Sequence, residues 1–80
     1  MLMTTLDRVP TGSRCRIESL AGSDEMVQRL LEFGLLEGET VEVIGWAPMG
    51  DPMEIRVGNT RLSVRKHDAS LIQVSSVTPS

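Results

Sequence analysis

The sequence contains few of the residues that build reaction centres and stacking surfaces. It has one histidine, one cysteine, one tryptophan, one phenylalanine and no tyrosine. A single cysteine excludes a disulfide within the chain and is typical of a reducing compartment. No apolar run reaches the roughly 18 residues needed to cross a bilayer, and the first residues lack the basic and apolar regions of a signal peptide. We therefore expect a soluble cytoplasmic protein that does not insert into a membrane.

The same scarcity argues against catalysis, a built-in metal centre and nucleic-acid binding. A metal site would have to gather Cys15, His67 and distant carboxylates, because His67 has no histidine or cysteine at ligand spacing. No glycine-rich loop precedes a helix with a lysine, and no serine stands beside a histidine with an orienting acid. Nucleic-acid binding on a small barrel usually needs exposed aromatic residues, and the net charge of −3 is unfavourable for it. The sequence predicts an interaction module, without enzymatic activity, cofactor or resident metal.

Charge is distributed unevenly along the chain. Between Glu18 and Glu42 there are seven acids and one base, whereas residues 55–66 hold four bases and no acid. Such asymmetry can orient a charged partner, although most of these residues taken singly fit an ordinary solvated surface.

Short alternating segments predict a mainly β fold. Eighty residues make one domain, with a core over about residues 6–74 and a flexible tail at residues 75–80. Strands are predicted at residues 14–20, 40–46, 54–57, 60–65 and 71–74. Cys15 alternates with apolar neighbours, so we interpret it as a small core residue rather than a reactive thiol. The pattern indicates a small antiparallel barrel of about five strands with one inserted helix.

The inserted helix is predicted from about Ser23 to Phe33. Ser23 can cap its start and Gly34 can take the left-handed position after its end, with Leu35 folding back on Leu30. One further helical turn is predicted at residues 67–70.

Gly58-Asn59 between two alternating runs predicts a two-residue β-hairpin. The implied register sets apolar residues opposite each other, namely Ile55 with Leu62 and Met53 with Val64. It also sets Arg56 opposite Arg61, a like-charge pair whose side chains either extend into water or bind an anion.

The segment A-P-M-G-D-P-M, from Ala47 to Met53, is longer and more apolar than a hairpin turn requires. Its prolines stiffen the loop and withhold amide donors. Met53 alternates with core positions and is expected to be buried. Trp46 and Met49 have two open interpretations: a preorganised binding surface, or a lid that completes a small core.

Three motifs in order resemble the FeoA family. Arg29 to Gly38, R-L-L-E-F-G-L-L-E-G, resembles the R-L-x-x-[LMF]-G-[LM]-x-x-G helix and turn of FeoA proteins. The segment from Ala47 resembles their A-P-[LM]-G-D-P-[IM] signature. Val64 to Ala69, V-R-K-H-D-A, is similar to their L-R-K-x-[DE]-A motif. The likeness extends from about Leu6 to Val74.

This resemblance implies an SH3-like barrel and a non-enzymatic role in bacterial ferrous iron uptake. FeoA proteins are small cytoplasmic partners of FeoB, a membrane permease with a GTP-binding domain. We accordingly expect binding to the cytoplasmic GTPase part of such a permease, through Trp46, Pro48, Met49, Arg56 and Arg61. The alternative is a regulatory or peptide-binding barrel related to the C-terminal domain of iron-dependent repressors. A homo-oligomer formed through exposed strand edges also stays open.

Overall fold

The computed structural model describes residues 3–79, which form one six-stranded antiparallel sheet with two helices. The strands are β1 (Thr4–Thr5), β2 (Ser13–Leu20), β3 (Thr40–Trp46), β4 (Met53–Val57), β5 (Thr60–Val64) and β6 (Ile72–Pro79). The helices are α1 (Asp24–Glu32) and α2 (Lys66–Ala69), and a 3-10 turn covers Leu6–Arg8. The strand order is β1-β6-β2-β3-β4-β5, so β1 and β5 lie at the two ends of the sheet. The predicted mainly β antiparallel fold with one inserted helix is confirmed. The sheet has six strands where about five were predicted, because the two-residue β1 was not among the predicted strands.

A single apolar core lies on the buried face of the sheet, because alternate residues of each strand point toward it. Cys15 and Met53 are buried in it, as the alternation predicts. The 3-10 turn adds the fully buried Leu6, which the sequence pattern did not mark as part of an element. The core residues are Leu6, Val9, Cys15, Ile17, Leu30, Leu35, Val41, Val43, Met53, Ile55, Val64, Ala69, Ile72 and Val74.

Helix α1 begins and ends as its sequence predicts. Ser23 Oγ accepts a hydrogen bond of 3.2 Å from the Met26 amide, which satisfies one of the unpaired donors of the first turn. At the other end Gly34 has φ +90°, and the Leu35 amide donates to the Leu30 carbonyl over 3.1 Å. This pair of features closes the helix and buries both leucines.

The β4–β5 hairpin has the predicted register, with Ile55 opposite Leu62 and Met53 opposite Val64. Gly58 takes φ +60° at the first position of the two-residue turn, which is the conformation of a type II′ turn. The hairpin therefore has no bulge along its five pairs.

The last strand differs from its prediction. It was expected to end at Val74, but β6 continues to Pro79 by pairing with the start of β2, where Ser13 lies opposite Pro79. A bulge at Ser76, whose φ is +55°, permits this pairing and leaves the Ser75 side chain fully buried. The sequence of this segment is polar and gives no sign of a strand, because the strand that it pairs with lies some sixty positions earlier in the chain. Flexibility of the segment stays a prediction.

Candidate interaction site

The loop between β3 and β4 is closed by its own backbone. The Ala47 amide donates to the Pro52 carbonyl over 2.9 Å, and the Gly50 amide donates to the Ala47 carbonyl over 2.7 Å. Pro48 cannot donate, and the Asp51–Pro52 peptide bond is cis. Neither of these two hydrogen bonds involves the backbone of Pro48 or Met49, which form the tip of the loop.

Asp51 ties this loop to helix α2. Its Oδ1 accepts a 2.9 Å hydrogen bond from the Lys66 amide, the first amide of α2, and its Oδ2 lies 4.0 Å from Arg65 Nη1. The carboxylate thus caps a helix that has no side-chain cap from its own preceding residue, Arg65. Sequence reasoning assigned Asp51 only to the turn; the structure gives it a second contact 15 positions along the chain.

Met49 and Trp46 have different surroundings, which resolves one of the open alternatives. Met49 is 92% exposed, so it is not a lid over the core. Trp46 is half-buried and packs against the core. Uninterrupted alternation along β3 would put Trp46 on the face opposite Val41 and Val43, but β3 has a bulge between Val43 and Gly45.

The bulge inserts one extra residue, which reverses the alternation beyond it. As a result Trp46 lies opposite the buried Met53 and shares its side of the sheet. Of the two open interpretations, packing against the core fits Trp46, and Met49 is the exposed apolar side chain that the loop presents.

Arg56 and Arg61 lie opposite each other, as predicted, but neither side chain is an isolated charge. Arg56 is ion-paired with Glu42 on β3, and Arg61 Nη2 lies 3.7 Å from Glu54 Oε1 on β4. Acids on neighbouring strands thus offset the like-charge contact.

This arginine pair also lies at the far end of the hairpin from the loop. Arg56 is three positions along β4 from Met53, which at about 3.4 Å per residue is roughly 10 Å. The bases next to the loop are instead Arg65 and Lys66, through their contacts with Asp51. Sequence reasoning missed both, although they form part of the third family-like motif. Whether Arg56 and Arg61 bind a partner stays a prediction.

A second surface feature is a cleft of about 240 Å³ between α1 and the end of β5. Phe33 lies at its rim, 52% exposed, and Arg29 Nη2 and Asp68 Oδ2 form a 3.3 Å ion pair across it. We call it the Phe33 cleft; it is lined by Arg29, Leu30, Phe33, Ser63, Val64, Arg65 and Asp68.

Two side chains, Cys15 and Glu18, have pKa values that their surroundings shift. Burial raises the pKa of the Cys15 thiol to about 11, so it is protonated at neutral pH. The hydrogen bond from the Ser75 hydroxyl, helped by the nearby Arg16, lowers the pKa of Glu18. Among residues 3–79, no group of three or more His, Cys, Asp or Glu side chains is placed to hold a metal ion. Within that same part of the chain, no helix has the length and apolar character to span a membrane.

Comparison with known proteins supplies the family context. The model of the FeoA domain family matches residues 4–76. The chain is 32% identical over 73 residues to an "Fe(2+) transport protein A/Fe(2+) transporter FeoB fusion protein" of Porphyromonas gingivalis; this covers 91% of the chain and 9% of the fusion protein. The chain thus spans less than a tenth of that relative.

Solved structures show the same fold. Iron(II) transport protein A from Clostridium thermocellum superposes with a TM-score of 0.85 at 36% identity, over 90% of this chain and 44% of that one. FeoA from Stenotrophomonas maltophilia, solved in complex with zinc and described as a procaryotic SH3 domain protein, gives 0.82 at 29% identity, over 95% and 96%. A manganese-dependent transcriptional repressor gives 0.84 at 12% identity, over 92% of this chain and 41% of the repressor, which shows a shared fold alone. The SH3-like expectation is confirmed.

Proposed function

Because this chain belongs to the FeoA family, we propose that it is a non-enzymatic, cytoplasmic accessory protein of ferrous iron uptake that binds the GTPase part of an FeoB-type permease and modulates transport. The observation that carries the proposal is the fusion relative, in which a segment 32% identical to this chain shares one polypeptide with a ferrous iron transporter. Joining two proteins in one chain gives them a high effective concentration, which favours pairs that work in contact.

The loop between β3 and β4 supports binding through a rigid apolar contact. Its backbone bonds and the Asp51 contact to α2 hold it in place before a partner arrives, so little ordering is needed on binding. Met49 supplies an adaptable apolar side chain. We propose that Met49 and Pro48 contact the partner directly, while Trp46 supports the loop from the core side.

Basic residues supply orientation toward an acidic partner surface. Arg65 and Lys66 adjoin the loop through Asp51, and Arg56 and Arg61 extend the basic surface along the hairpin. Exposed charges of this kind act mainly on the association rate, and salt weakens their effect.

A binding experiment with the whole chain tests the proposal. The chain is immobilised and titrated with the purified GTP-binding domain of the FeoB permease from the same organism. Met49→Asp should weaken binding by about 1–3 kcal/mol, roughly 5- to 150-fold, because an apolar anchor becomes a charge. The melting temperature should not change, since Met49 is almost fully exposed.

Met3→Asp is the matched control, because it makes the same change at an exposed methionine outside the loop. Binding that is equal for wild type and Met49→Asp would remove the loop from the interface. No binding of the wild type to the permease domain would refute the partner itself. Comparing Arg65→Glu with Arg56→Glu then shows which of the two arginines lies nearer the partner. The substitution nearer the contact should lower the association rate more, and the difference between the two variants should fade as the salt concentration rises.

A further inference from the structure

Strand β5 lies at the end of the sheet, and among residues 3–79 no strand pairs with its outer edge. It pairs with β4 on one side only, through five antiparallel pairs without a bulge. In a hairpin with a two-residue loop the residues that flank the loop form a hydrogen-bonded pair, and such pairs alternate with non-bonded ones. Val57 and Thr60 flank this loop, so the backbone groups of Arg61 and Ser63 point away from β4.

Nothing in the described part of the chain covers this edge. Among residues 3–79, no backbone hydrogen bond from a loop, turn or other strand reaches Arg61 or Ser63 on that side. The strand also lacks a proline and a bulge, two of the devices by which proteins block an edge. Two N–H and two C=O groups therefore stand ready to pair with an added strand.

The Phe33 cleft adjoins this edge and offers apolar contacts. Ser63 and Val64 of β5 line it together with Phe33, whose ring is half-exposed although it is one of two aromatic residues in the chain. An added strand beside β5 would place every second side chain over this cleft, because successive side chains point to opposite faces.

Exposed arginines lie near both ends of this edge: Arg61 on the face opposite the core, and Arg65 just past Val64, where it also lines the Phe33 cleft. Arg61 and Arg65 are 61% and 75% exposed, and their acid partners Glu54 and Asp51 are at 3.7 and 4.0 Å, the long end of ion-pair contact. Exposed pairs at these distances contribute little, so either arginine can turn to a carboxylate on a bound segment at small cost.

We propose that the β5 edge binds an extended segment of a partner protein in which acidic residues alternate with apolar residues. The segment adds a seventh strand through the backbone of Arg61 and Ser63. Its apolar side chains lie on the Phe33 cleft, and its carboxylates reach Arg61 on the other face and Arg65 beyond the end of the strand. Backbone pairing supplies affinity, and the alternate side chains supply selectivity.

A second copy of this chain fits the edge less well. Antiparallel pairing of two β5 strands would bring Arg61 of each copy onto one face within two residues of the other, where like charges repel. The proposal shares Arg61 and Arg65 with the proposed permease interface, but it uses neither Met49 nor the permease domain. Strand pairing at Ser63 can therefore fail while binding of the permease domain holds, and the reverse.

The test uses the full chain and a capped eight-residue peptide that alternates glutamate with valine. We expect saturable one-to-one binding, with amide shifts and slowed amide exchange at Arg61 and Ser63 in nitrogen-15 spectra. A peptide N-methylated on the amides that face β5 should bind at least about tenfold more weakly, and so should a peptide that alternates lysine with valine.

Two variants of Ser63 separate backbone pairing from side-chain contact. Ser63→Pro removes an outward N–H that does not pair with β4, a change that an edge position tolerates, and it should abolish binding. Ser63→Ala keeps the N–H, loses the hydroxyl, and should bind like wild type. If Ser63→Pro fails to fold, the N-methylated peptide still tests whether binding depends on backbone pairing. Arg61→Glu should reverse the preference toward the lysine peptide.

Other outcomes would overturn the proposal. No binding of the glutamate peptide at millimolar concentration would do so, as would shifts confined to the β3–β4 loop or to the outer face of α1. Concentration-dependent protection of Ser63 without any peptide would show that a second copy occupies the edge.

Discussion

Replacing Asp51 should destabilise the protein although its side chain is exposed. In Asp51→Ala the Lys66 amide loses its 2.9 Å acceptor, and loss of a helix-capping acceptor costs about 1 kcal/mol, within a range of about 0.5–2. The contact to Arg65 is exposed and 4.0 Å long, so its loss adds at most about 0.5 kcal/mol. For a domain of this size about 1–1.5 kcal/mol lowers the melting temperature by roughly 4–12 °C.

Asp51→Asn is the matched control for this prediction. An asparagine keeps the side-chain oxygen that accepts from Lys66 but removes the charge near Arg65, so the melting temperature should fall by no more than a few degrees. Thermal unfolding and amide exchange at Lys66 measure the two variants. If Asp51→Asn is as unstable as Asp51→Ala, the charge dominates and the capping argument is wrong. A melting temperature unchanged in Asp51→Ala would refute the contact altogether.

Three other substitutions or treatments test the core and the sheet. Leu30→Ala should lower the free energy of unfolding in urea by about 2–5 kcal/mol, because Leu30 is the one residue of α1 that is fully buried. Leu31 is 36% exposed, so Leu31→Ala should lower it by under about 1 kcal/mol, and equal losses would contradict the packing of α1. Ser76→Val should destabilise the protein by more than about 1 kcal/mol, whereas Ser76→Gly should be neutral or stabilising, because φ +55° suits glycine and is strained for a β-branched residue. If urea unfolding shows the valine variant to be more stable than the glycine variant, the bulge at Ser76 is wrong. Cys15 should react with a neutral thiol reagent only as fast as the protein unfolds, since it is buried and protonated; rapid labelling of the native protein at pH 7 would show an open site.

Local patterns in the sequence determined the elements whose causes lie within a few residues. Ser23 and Gly34 mark the ends of α1 because capping involves only adjacent turns. Gly58-Asn59 sets the hairpin and its register because a two-residue turn leaves one pairing that keeps Ile55 and Leu62 on the same face. The exposed Met49 could not be separated from the half-buried Trp46 in this way, because both were compatible with a lid or a surface.

Only the tertiary structure decided the features that depend on partners far along the chain. The β3 bulge that turns Trp46 inward exists only in the pairing of β3 with β4. Strand β6 continues past Val74 because β2, more than fifty positions earlier, offers its hydrogen-bonding edge. Asp51 becomes a helix cap because the fold brings it to Lys66. The sequence shows which side chains alternate, but it does not show which distant backbone groups form hydrogen bonds with each other. Those hydrogen bonds, including the one from the Lys66 amide to Asp51, bring the loop and its neighbouring bases together.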